Sequence, residues 1–135
     1  MFRKLILITL LPFVVFVFAS CGKSTVSNLK EIQKKSAGNH NIALLNETGT
    51  LKQGSNVFYL EFRNATDNQL ADAGKVSTNA VMQMSGMPMT GETTIKGTDT
   101  PGRYEIKGNF SMSGKWILNV EFGKGETAQF QLTVL

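Results

Sequence analysis

From residue 41 onward, apolar side chains recur at every second position in short runs separated by Gly, Asn, Asp and Pro. A period of two belongs to strands that bury one face. Phe58, Leu60 and Phe62 share one face of such a run, and Val57, Tyr59, Glu61 and Arg63 the other. After a turn at Asn64-Ala65-Thr66-Asp67-Asn68, Val76, Thr78, Ala80, Met82 and Met84 align on one face until Gly86 interrupts the pattern. Residues 93–97 and 103–107 flank a cluster of turn formers ending in Pro101-Gly102, which predicts a hairpin. Trp116, Leu118, Val120 and Phe122 alternate cleanly, as do Ala128, Phe130, Leu132 and Val134, and Gly123-Lys124-Gly125 joins the two runs. With an early strand over 41–46, the pattern predicts an all-β domain over 40–135, an immunoglobulin-like antiparallel β-sandwich of about seven strands. Trp116 is expected in its core.

The N-terminal pattern is different in kind. Arg3 and Lys4 precede an uncharged apolar stretch, 5–18, too short to span a bilayer and of signal-peptide length. It ends in Phe18-Ala19-Ser20-Cys21-Gly22, which resembles a lipobox with Phe18 where Leu is usual. Residues 1–20 are therefore expected to be a lipoprotein signal peptide, with Cys21 the acylated residue. The expected localisation is the cell envelope, lipid-anchored to a membrane on its extracytoplasmic side, because two or three acyl chains hold far more firmly than one. Residues 21–39 are mostly polar and read as a flexible tether, in which Leu29 and Ile32 support at most one marginal helical turn or two.

Charge and cysteine content narrow the chemistry. The chain's net +4 is carried by residues ahead of the domain: from Ser36 onward eight basic residues face nine acidic ones, a balance of −1. No basic face is implied, so nucleic acid is not an expected partner. Cys21 is the single cysteine, and with it committed to lipid the domain has neither disulfide nor thiolate chemistry. One histidine, His40, stands at the tether boundary and is expected to be an exposed polar residue. Nothing joins it to a serine and an acid in a catalytic pattern, and an enzyme is not expected.

One segment departs from plain strand chemistry. Met82, Met84, Met87 and Met89 fall within eight residues, interrupted by Gly86 and Pro88, and Met112 follows in Phe110-Ser111-Met112-Ser113-Gly114. Thioethers are soft, neutral ligands that suit Cu(I) without deprotonation. Met82 shares its strand face with Val76 and Ala80 and is expected in the core, since flexible methionines fill irregular gaps. Met84, Met87, Met89 and Met112 are the candidate metal ligands. The competing reading makes the same loop an adaptable apolar contact surface for another envelope protein.

The ordered elements Gly54-Ser55-Asn56-Val57-Phe58, Met87-Pro88-Met89, Pro101-Gly102-Arg103-Tyr104 and Met112-Ser113-Gly114-Lys115-Trp116 resemble the YtkA-like (FixH-like) domain family. The resemblance implies an extracytoplasmic immunoglobulin-like sandwich. It also implies copper handling, with partners in heavy-metal efflux or oxidase assembly, and assigns the thioethers of Met87, Met89 and Met112 to that role.

Overall fold

The computed structural model describes residues 28–135. The signal peptide, Cys21 and the first part of the tether lie outside them. The alternating pattern becomes strands: β1 (Lys30–Ala37), β2 (His40–Asn46), β3 (Gly54–Asn64), β4 (Val76–Met82), β5 (Met89–Gly97), β6 (Arg103–Phe110), β7 (Gly114–Phe122) and β8 (Glu126–Val134). Neighbours pair antiparallel in the order β1-β2-β3-β6-β5-β4-β7-β8. β5 divides its ladder: Met89 to Gly91 pair with Met82 to Ala80 of β4, and Glu92 to Gly97 pair with Asn109 to Tyr104 of β6. That division folds the sheet into two layers, and β1 and β8 approach each other on the far side. An immunoglobulin-like sandwich of antiparallel strands is the result.

The core is the inward set expected from the alternation. Phe58, Leu60 and Phe62 of β3 meet Ile106 and Phe110 of β6, Trp116, Leu118, Val120 and Phe122 of β7 and Phe130 and Leu132 of β8, all essentially inaccessible. Aromatic rings supply much of the buried area, which a domain without a disulfide requires. Phe110 packs edge-on against Trp116 with centroids 5.3 Å apart, and Phe62 meets Phe122 at 5.1 Å.

Eight strands replace the expected seven, and the added one lies in the expected tether. Residues Lys30 to Ala37 form β1, a hairpin with β2 whose register runs from Lys30↔Asn46 to Ala37↔His40 around the two-residue turn Gly38-Asn39. A helical turn there would leave the outer edge of β2 unpaired. Pairing satisfies that edge and lets Ile32 and Ala37 pack on the core. His40 also departs from expectation: it is half-buried, with its ring edge-on to Phe62 and Phe122 at 6.0 and 5.6 Å. Two-residue hairpin geometry turns it over the end of the core.

Candidate thioether site

The methionines gather where β4 ends, β5 begins and β6 turns into β7. Met82, the last residue of β4, lies opposite Met89, the first of β5. Directly opposed residues of an antiparallel pair have Cβ atoms about 5 Å apart, within reach of two thioethers. Met82 is buried, as its place on the strand face indicated, while Met89 and Met112 are partly buried against the same core. Residues 83–88 form the connecting loop. From it Met84 projects at 48% exposure and Met87 at 75%, the loop turning at Gly86 with φ +95°.

Met112 reaches this end through two local devices. The indole N–H of Trp116 donates to the main-chain carbonyl of Met112 at 3.1 Å, which fixes the β6–β7 turn over the core. Gly114 takes φ +133°, and a Cβ at that position would collide with the terminal methyl of Met82. The Met-x-Gly-x-Trp spacing thus has a mechanical meaning: glycine admits Met82 beneath the turn, and tryptophan ties the turn down. Gly91 acts similarly in β5, since a Cβ there would stand 3.2 Å from the Trp116 ring and 3.3 Å from Ala80.

Of the four sequence-predicted ligands, the fold brings Met89 and Met112 to one end of the core and leaves Met84 and Met87 in solvent above it. Met82, assigned to the core by its face, is the residue that links Met89 to the Gly114 turn. Among the described residues, no group of three His, Cys, Asp or Glu side chains is arranged to hold a metal ion. The thioethers gathered at this end are soft, neutral donors. Cys21 falls outside the described residues.

Sequence reasoning missed a polar feature on the outer face of β1, β2, β3 and β6. Glu61 is 5% exposed although it lies on the face expected to be polar. Its Oε1 accepts from Nε and Nη2 of Arg103 at 3.0 and 2.6 Å, and its Oε2 from Nη2 of Arg63 at 2.9 Å. The group lines a cleft of about 330 Å³ shared with Lys34, Asn41 and Asn68. Nearby, the Tyr104 hydroxyl donates to Asp72 Oδ1 at 2.9 Å. Burial, and then the neighbouring Asp72 carboxylate, push Tyr104 up to about 12. The Gly74 amide, and then Tyr104, hold Asp72 below the usual carboxylate range.

Comparisons with known proteins agree with this architecture. A family model described as YtkA-like matches residues 34–121, a span that includes Met84, Met87, Met89 and Met112. No match is found among curated proteins. Among solved structures, the crystal structure of the Lin-41 filamin domain is similar with a TM-score of 0.53 at 16% identity, over 76% of this chain and 98% of that one. Domains 4 and 5 of the S-layer protein SbsC align at a TM-score of 0.44 and 14% identity, over 79% of this chain and 52% of theirs. At such identities the filamin likeness speaks to the fold.

Proposed function

The chain belongs to the YtkA-like family, and from that premise we propose that it is a lipid-anchored extracytoplasmic binding module that carries Cu(I) as cargo. Met84, Met87, Met89 and Met112 are its ligands. It acts as a carrier or as an accessory to an efflux or oxidase-assembly partner, and it is not an enzyme. The observation that carries the reading is the convergence of Met89 and Met112 on one end of the core, beneath a loop that presents Met84 and Met87. A carrier needs ligands that reach solvent for loading and others that are held in place for retention. Partly buried Met89 and Met112 supply the second kind, since Trp116 and Gly114 fix the turn that bears Met112. Exposed Met84 and Met87 supply the first.

The 75% exposure of Met87 also favours a second reading, a metal-free apolar contact surface for an envelope protein. Anaerobic competition of the mature chain against a chromogenic Cu(I) chelator separates the two. Copper carriage predicts one-to-one competition that is lost when Met87 and Met89 are both replaced by Leu, with the fold unchanged, because Leu conserves volume and removes the sulfur. A mature chain that never competes for Cu(I) removes the carrier reading and leaves the contact surface.

A further inference from the structure

The strand order fixes which end of the sandwich faces the tether. Every named pairing is antiparallel, so β1, β3, β5 and β7 begin, and β2, β4, β6 and β8 finish, toward one end. The chain enters the domain there at Lys30, and the methionine loop lies at the same end. Leu135, which follows β8, is there as well, its amide donating to Leu51 O at 2.9 Å. Val57 lies farther along β3, paired with Lys107 of β6 on the outer face of the sheet. Met84, Met87 and Leu135 at this end, exposed at 48%, 75% and 64%, account with Val57 on the sheet face for the large apolar side chains exposed among the described residues. The opposite end presents the loops of Asp67, Asp99 and Lys124 and no exposed large apolar residue among those described.

Scattered exposed apolar residues need no explanation, but their collection at one end does. We infer that, while no copper is bound, this end rests on the lipid bilayer that holds Cys21, with Met84 and Met87 entering the boundary between headgroups and acyl chains and leaving it when they take up Cu(I). The inference rests on the lipid-anchor reading and goes beyond it. Nine residue steps separate Cys21 from Lys30, which at full extension span about 30 Å. A nine-residue strand such as β7 covers about the same distance. Turning the opposite end to the membrane would stretch the tether to nearly its whole contour, while the methionine end approaches with slack to spare. Lys30, Lys52 and Lys115 at this end are offset by Glu31, Glu47 and Glu92, so the contact is apolar in origin and weakly dependent on salt.

The test uses the full acylated chain in vesicles of phosphatidylethanolamine and phosphatidylglycerol that contain a headgroup-nitroxide lipid. Because Cys21 is the single native cysteine and is acylated, a fluorophore can be placed uniquely at Ser85→Cys in the methionine loop or at Lys124→Cys at the opposite end. The expected result is quenching several-fold stronger at position 85 than at 124, little changed by salt. Replacing Met84 and Met87 by Ser in the Ser85→Cys chain is expected to lower that quenching while the protein still floats with the vesicles. Equal quenching at both positions, or quenching that ignores the two serine replacements, overturns the docking with the anchor intact. A chain that does not float with vesicles removes the anchor and the docking together. The copper titration in solution is independent of all these outcomes.

Discussion

Trp116 and Met112 are joined by a single hydrogen bond, indole N–H to main-chain carbonyl at 3.1 Å, that ties the fully buried centre of the core to the turn bearing a candidate ligand. The ring is held on its other side by Phe110 and by the missing Cβ of Gly91. Trp116→Phe keeps an aromatic ring in place but leaves the Met112 carbonyl without its donor and opens a small cavity. A loss of about 2 kcal/mol is expected, read as a lower denaturant midpoint with an unchanged slope. Any copper site that uses Met112 should weaken along with it.

Gly102, in the Pro101-Gly102-Arg103-Tyr104 turn, has φ +84°, and a Cβ there would stand 2.7 Å from the main-chain oxygen of Ala71 and 2.9 Å from its nitrogen. Main chain cannot yield as a side chain can, and the same turn offers Gly102 O to the Phe62 amide at 2.8 Å. Gly102→Ala should cost about 3 kcal/mol through backbone strain and collision combined. Gly97→Ala is the control: nothing lies within 4 Å of its Cβ position, and its midpoint should stay within about 0.5 kcal/mol of the parent.

The alternation of Phe58, Leu60 and Phe62, and of the runs beginning at Trp116 and Ala128, was legible because a half-buried strand imposes a period of two on its own residues. β1 was not, because its residues are mostly polar edge positions whose strand state comes from pairing with β2 and not from burial. A signal was nevertheless present in the Gly38-Asn39 dipeptide between two short runs, a two-residue hairpin pattern. The methionine cluster could be read as a cluster, but the approach of Met112 to Met82 required the β4–β7 pairing, which has no local trace. Glu61 was hidden for a related reason. A carboxylate at an outward strand position looks solvated until Arg103, forty-two residues away, closes over it.

Tyr104 makes stability depend on alkaline pH. Burial first, and the hydrogen bond to Asp72 second, raise it to about 12 in the folded chain from its ordinary 10.0. The folded state therefore keeps a proton that the unfolded chain releases, so the contribution is intact below pH 10 and is lost as pH rises toward 12. Tyr59 is shifted in the same direction, chiefly by burial, so Tyr104→Phe should flatten the alkaline fall only in part. Chemical denaturation at a series of pH values between 9 and about 12 measures both slopes. A variant curve parallel to the parent's would show that Tyr104 is not the titrating group.

Glu61 is held by two guanidinium groups, Arg103 through both its Nε and its Nη2 and Arg63 through one nitrogen. The three side chains are unequally accessible, the Glu61 side chain at 7%, Arg103 at 22% and Arg63 at 34%. Removing Arg103 leaves a desolvated carboxylate facing only the more exposed partner, which costs more than the pair itself contributes. Arg103→Ala is expected to lose about 2–3 kcal/mol, whereas Arg63→Ala should lose less than 1 kcal/mol, as partly exposed pairs generally do. Combining Arg103→Ala with Glu61→Leu should recover much of the loss, because leucine has no charge left to desolvate and can sit among Ala43 and Leu45 on the same face. Additive losses in that double variant, measured by urea unfolding, would mean that Arg103 stabilises the sheet by packing its stem and not by answering the buried charge.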